Sequence, residues 1–298
     1  ISAAIWGHEY VSSFVDFSLS TQLSPGNIPS LAARDEVIYQ IIPTQDDKDW
    51  LEQQPLMKRL QNLCVIQWDL IEELCPEVLV PGEFSPGKYD FLTALQNFAM
   101  TSAIGSDFLI LNYADFVWAD GSMRNLIDKF EDDTDAVLSF CLPVDRDNGI
   151  KEIKKFAKES SDSSGVIALP PRAAADLALN NLHRETKLRF YEDPAFAVAP
   201  TDILRPVDDE GLLITAYHQT MLAFRVRADD PFYYNGVLTN SLDGFHSAIL
   251  GSNRKIVHAD NSDEIFIFSL YDTILDSSIG GKSPTHLEGY TRAGSLSH

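Results

Sequence analysis

The residues best able to do chemistry in this chain sit just after apolar runs. Asp115 ends the tetrapeptide Asn112-Tyr113-Ala114-Asp115, which follows the apolar run 108–111. A carboxylate there can ligate Mg2+ or Mn2+ directly, with water and ligand oxygens completing the shell; its plain structural role would be a turn or an Asx cap. His218 follows the run 212–217 in the same manner. A neutral imidazole suits Mn2+, whereas a lone histidine with no partner is ordinarily structural. Trp6, Gly7 and Tyr10 close the first apolar run. Two aromatic faces beside a glycine can stack on a flat ligand, or simply anchor strand to helix. Thr44-Gln45-Asp46-Asp47 ends the second run; Thr44 and Asp46 are candidate ligand contacts, and the segment also reads as a helix cap. Among the late acids Asp243, Asp260, Asp263 and Glu264, Asp243 is chosen as the group to take a proton from a hydroxyl. The others read as solvated turn acids.

The elements that must hold these groups follow from periodicity. Residues 2–6 read as a first strand, 9–23 as a helix, 37–43 as a second strand and 63–68 as a third. Asp46 or Asp47 is a candidate cap for the helix beginning near Trp50. Tyr89, Leu92, Leu95, Ala99, Ser102 and Ala103 recur at helical spacing before the run 108–111. That run is apolar at every position, as suits a central strand covered on both faces. A carboxylate just past the end of such a strand lies where open α/β sheets bind ligands. Further on, Asp120 reads as the cap of a helix through Phe130, 136–142 as a strand, 151–158 as a basic helix, and Pro170-Pro171 as the opening of another helix to Leu182. His183 reads as a cap or dipole contact at that helix end. The texture then changes to short strands at 212–217, 222–227, 255–259 and 265–270. Strand–helix alternation followed by a strand-rich back half predicts an α/β fold with a mixed, mostly parallel central sheet flanked by helices.

The stretch 88–120 resembles the segment before and through the metal motif of nucleotide-sugar glycosyltransferases of the GT-A (Rossmann-like) fold. In many of these a helix carrying Ala and Asn leads to an A-x-G-(D/E)-(F/Y) turn and an apolar strand that ends in D-x-D. Here the turn is Ala103-Ile104-Gly105-Ser106-Asp107-Phe108, with one extra residue. The strand ends Tyr113-Ala114-Asp115, one acid where the family usually shows two. The resemblance is firmest over 88–131 and extends over 1–142; the segments around His218 and 255–270 are similar to the back half of bacterial GT-A-type proteins.

The resemblance implies transfer of a sugar from a UDP- or GDP-sugar donor to a saccharide, lipid or protein acceptor, as in bacterial polysaccharide biosynthesis. Trp6 and Tyr10 would meet the base, Thr44 and Asp46 the base or ribose, and Asn112 the ribose or the loop itself. Asp115 and His218 would hold Mn2+ or Mg2+, which neutralises charge on the departing diphosphate. Residues 1–276 are expected to form one domain, with 1–142 binding the nucleotide sugar and 143–276 completing the metal and acceptor side. Residues 277–298 would be a flexible tail or lid. The alternatives are a nucleotidyltransferase on a similar sheet, and a carbohydrate-binding or assembly protein that lost metal binding. The first usually carries a Gly-rich, basic loop after its first strand, and 5–23 has none. The second finds its support in the single acid.

Bulk composition narrows the field. A net charge of −21 repels polyanions, which argues against nucleic acid as a partner. It also makes a diphosphate hard to bind without local cations, and neither 1–33 nor 60–87 holds a Lys or Arg. No apolar run approaches the roughly 20 residues needed to cross a bilayer, and the start lacks the positive flank of a signal peptide. Cys64, Cys75 and Cys141 are an odd count without C-x-x-C spacing, which speaks against a disulfide framework or zinc knuckle and for a reducing, cytoplasmic home. Cys64 and Cys141 lie in apolar runs and are expected to be buried. P-loop, dinucleotide-fingerprint, zinc-protease and nucleophile-elbow motifs are absent from the sequence.

Overall fold

Leu109 and Leu111 enter one layer of the core and Ile110 the other, because successive strand side chains point to opposite faces. The same alternation places Ile41 on one face and Ile42 on the other, and Val137 opposite Ala136 and Leu138. A strand sandwiched between two helical layers can therefore be apolar throughout. Each such Leu, Ile or Val side chain, once fully buried, contributes about 1.5–3 kcal/mol.

The computed structural model describes residues 1–75, 88–159, 164–192, 202–207, 211–216, 220–227 and 254–272. Its early strands are β1 (Ser2–Ala4), β2 (Ile38–Ile42), β3 (Val65–Trp68), β4 (Leu109–Asn112), β5 (Phe116–Trp118), β6 (Thr134–Ser139) and β7 (Leu142–Asp145). The later ones are β8 (Asp202–Val207), β9 (Gly211–Ala216), β10 (Thr220–Phe224), β11 (Lys255–His258) and β12 (Ile267–Tyr271). The central sheet has seven strands in the order β11-β6-β10-β4-β1-β2-β3. The pairs β1–β2, β2–β3, β1–β4 and β6–β11 are parallel. β10 alone runs against its neighbours β4 and β6.

One face is covered by the helix Lys88–Ser102, whose Phe91, Leu95, Ala99 and Met100 join Leu109 and Leu111. The other is covered by the helical segment that starts at His8 and by the helix Pro55–Gln61. The first of these passes through a π-helical stretch, Phe14–Leu19, before resuming as Ser20–Gln22. A second sheet, β5-β12-β7, is backed by Ile153 of the helix Arg146–Glu159 and by Ala174 and Ala178 of Pro171–Asn180. The hairpin β8–β9 forms a third, two-stranded sheet. Among the described residues no helix is long and apolar enough to cross a membrane.

Several expectations change. The single strand expected over 136–142 is two strands, β6 and β7, in different sheets; the run is apolar across the break because Phe140 and Cys141 pack against the core there. Asp120 does not cap the following helix. Gly121 holds the N-cap of Ser122–Asp128, and Asp120 Oδ1 accepts instead from Gly26 N at 2.7 Å, tying down the 24–27 turn. The helix before Trp50 begins at Gln45 with Thr44 as its N-cap, not Asp46 or Asp47. Cys64 and Cys141 are half-buried rather than buried. The loop expected at 76–87, and the proposed tail or lid at 277–298, lie outside the described residues.

Candidate active site

The chain runs outward from β1 to β2 and β3, then returns through the helix Lys88–Ser102 to β4 on the other side of β1. The β1/β4 junction is thus the point where strand order reverses, and the crevice at the carboxyl ends of these strands is the expected ligand site. A cavity of about 540 Å3 lies there, bounded by Ile5 and Trp6 after β1 and by Tyr113, Ala114 and Asp115 after β4. The second sheet adds Ser269 to Asp272 to the lining, beside Asp115. The chain steps from the first sheet to the second three times, at 113–115, at 140–141 and at 259–266. Asp115 rides on the first of those steps.

Hydrogen bonds hold the Asp115 turn from several sides. Trp118 Nε1 donates to Asn112 Oδ1 at 2.9 Å, and Gln96 Nε2 donates to the Tyr113 hydroxyl at 2.7 Å. Ser18 Oγ, in the π-helical stretch, donates to Tyr113 O at 3.3 Å, and Leu270 N donates to Asp115 O at 3.1 Å. π-helical turns often occur at functional sites, and this one places a hydroxyl against the turn. Tyr39, below, donates to Gln22 Oε1 at 2.8 Å, and burial pushes its phenol well above its usual range. Asp115 itself is half-buried on the cavity wall.

Trp6 and Tyr10 also line the cavity. Trp6 packs edge-on against Phe91, with ring centroids 5.2 Å apart, so it is a wall and a strand-to-helix anchor at once. Gly7 has φ +84°, a left-handed conformation that favours glycine, with nothing within 4 Å of where a Cβ would stand. Its N–H donates to Asp47 Oδ2 at 2.9 Å, and the Thr44 hydroxyl donates to the same oxygen at 2.7 Å. Thr44 Oγ1 in turn accepts from Asp47 N as the helix cap, while Asp46 is exposed in the first turn. Neither Thr44 nor Asp46 is on the cavity wall. The second-strand loop thus acts on the site through Asp47, which braces Gly7.

Asn112, a candidate ribose contact, is 5% exposed and lies in the Ser18–Tyr39–Trp118 network instead. It does the other task foreseen for it, holding the loop. His183 caps the short helix Arg184–Lys187, its Nδ1 accepting from Glu185 N at 3.3 Å. Asp263 pairs with Arg172 at 3.0 Å and Glu264 with Lys129 at 2.6 Å, both at the surface. His218 and Asp243 lie outside the described residues.

Three wall residues escaped the sequence reading: Arg189, Asp202 and Asp272. Arg189 Nη1 donates to both oxygens of Asp202, at 2.8 and 2.9 Å. Asp272 follows β12 and lies 3.4 Å from Arg146 Nε. The signal that picked Asp115, an acid directly past an apolar strand, applies equally to Asp272 after 265–270. The Arg189–Asp202 pair had no such signal, since it joins the residues after a short helix to the start of a strand that the sequence pattern does not mark.

No protein-family model matches the chain, and no curated protein matches it. Among solved structures, apo mouse xyloside xylosyltransferase 1 is similar over 53% of this chain and 58% of that one, at 14% identity and a TM-score of 0.33. The match thus spans little more than half of either protein.

Proposed function

We propose that this chain is a glycosyltransferase that moves a sugar from a nucleoside-diphosphate donor, UDP- or GDP-linked, to an acceptor hydroxyl. The observation that carries the reading is the cavity at the β1/β4 switch point, whose lining includes Trp6, Tyr10 and Asp115. The GT-A resemblance of 88–131, read from the sequence, supports it. A volume near 540 Å3 is within the usual range for small-molecule sites.

In this reading the aromatic faces of Trp6 and Tyr10 take the base, and the Gly7 turn admits the ligand close to the backbone. Among the described residues no group of three or more His, Cys, Asp or Glu could enclose a metal. A metal that shares its shell with ligand phosphates and water needs only one or two carboxylates, and Asp115 on the cavity wall fits that pattern. Asp115, with His218 as the second ligand assigned from sequence, would hold Mn2+ or Mg2+, which supplies charge neutralisation at a departing diphosphate. Asp243 is kept as the group that takes the acceptor's proton. Asp272 is the described wall carboxylate that competes for that role.

Calorimetry with UDP- and GDP-sugars, with and without Mn2+, tests the reading. Metal-dependent binding of a nucleotide sugar supports it. Binding of nucleoside triphosphates alone would favour a nucleotidyltransferase, and no binding of either class would overturn the reading for a non-catalytic role.

A further inference from the structure

The cavity that Asp115 borders also carries a cation. Among the described residues Arg189 is the cationic side chain lining the cavity, in a protein of net charge −21. The local fold fixes it firmly. His183 N and Thr186 Oγ1 both donate to Pro143 O, at 3.0 and 3.1 Å, docking the helix Arg184–Lys187 on β7. Arg189 N then donates to Thr186 O at 3.0 Å, and Leu204 N of β8 donates to Arg189 O at 3.0 Å. Asp202, at the start of β8, is thereby held beside the guanidinium.

Asp202's side chain is 1% exposed and that of Arg189 is 25% exposed. Removing a carboxylate from water costs several kcal/mol, and a buried ion pair is a poor route to stability. Such a pair on a cavity wall is better explained as support for a group that must be oriented. Both Asp202 contacts use Nη1. Nε–H and Nη2–H make no hydrogen bond to a described residue, and together they form the side-on fork of a guanidinium, which matches two oxygens of a phosphate.

We propose that Arg189, oriented by Asp202, binds the phosphate oxygens of a diphosphate-bearing ligand in this cavity. The proposal rests on the donor reading above and adds the residue that meets the donor's charge. Asp115 and Asp272 make the remaining wall acidic, so an anion entering here needs a cation of the protein's own as well as any bound metal.

The test is calorimetric binding of UDP, GDP, uridine, guanosine and inorganic pyrophosphate to the full chain, each with and without Mn2+. The variants are R189K, which keeps a charge beside Asp202 and removes the fork, and the neutral double variant R189Q/D202N, which strands no buried charge. A charge-assisted hydrogen-bond pair lost without replacement predicts about a tenfold or greater loss of diphosphate and pyrophosphate affinity in the double variant. R189K should lose several-fold, and nucleoside affinity should stay level in both. Equal nucleotide affinity in wild type and in folded R189Q/D202N or R189K overturns the Arg189 assignment and leaves the transferase reading standing. Arg189-dependent pyrophosphate binding without any nucleotide binding keeps the anion site and removes the transferase reading. A wild-type chain that binds neither class overturns both.

Discussion

The indole N–H of Trp118 and the side-chain carbonyl of Asn112 meet at 2.9 Å across the turn that carries Asp115, and both residues are buried. This bond joins the last residue of β4 to the last residue of β5 and fixes the three-residue step between the two sheets. Asn112→Leu would leave the indole donor unpaired in the core and remove the amide from the Ser18–Tyr39 network. We expect a loss of about 1–3 kcal/mol in urea unfolding, accompanied by weaker ligand binding. An unchanged unfolding midpoint would show that the turn does not depend on this bond.

Asp115→Asn tests the carboxylate itself. A ligand-facing acid at a cavity wall adds little to folding, so stability should stay within about 1 kcal/mol of wild type, while Mn2+-dependent nucleotide-sugar binding is lost. Intact binding with a large drop in melting temperature would make Asp115 a structural residue.

Asp135 is the core's most heavily used carboxylate among the described residues. At 5% side-chain exposure it accepts from Arg254 Nη1 at 3.0 Å, from Lys255 N at 2.9 Å and from Arg227. These bonds pin both the end of β10 and the start of β11 to β6. Asp135→Ala leaves Arg254, itself 6% exposed, without this carboxylate, and should cost about 3–5 kcal/mol. Hydrogen exchange should show β11 opening first; protection lost evenly along the sheet would argue against a local clasp.

Gly26→Ala probes a backbone contact. An added Cβ would stand 2.6 Å from Gly121 Cα and N and 2.8 Å from Asp120 Oδ1, and backbone cannot step aside cheaply. The expected cost is roughly 1–3 kcal/mol, read as a lower thermal midpoint with the cavity's ligand affinity kept.

Burial pushes the Cys64 thiol up to about 11. The folded chain therefore keeps this proton longer than the unfolded chain does. The contribution to stability is complete below pH 9 and is lost as pH rises from 9 towards 11. Urea unfolding across that range should show a steeper decline for wild type than for Cys64→Ala. Parallel slopes would mean that the thiol titrates normally.

Much of the front half was readable residue by residue. The runs read at 37–43, 63–68 and 108–111 became β2, β3 and β4 because largely apolar stretches of this length have few uses other than a covered strand. Asp115 was legible for the same reason: the run must stop, and a polar residue at its end emerges at the sheet's rim. β5 and β8 were missed. β5 is only three residues long, and β8 carries Arg205 and Pro206 within a short stretch, so neither pattern is long enough to register. The network around Asn112 was not legible because its partners, Ser18, Tyr39 and Trp118, come from three other elements.

By itself the sequence determined the α/β class, the parallel front strands, the helix that covers them and the place where a carboxylate would surface, all of which follow from local alternation of apolar and polar residues. Only the tertiary structure decided that a strand from residues 220–224 enters between β4 and β6 in the opposite direction, that β6 and β7 part into separate sheets, and that Arg189 and Asp202 line the same cavity as Asp115. Periodicity says which face of an element is buried, but which elements meet on that face is set by packing between distant segments, and no local pattern records it.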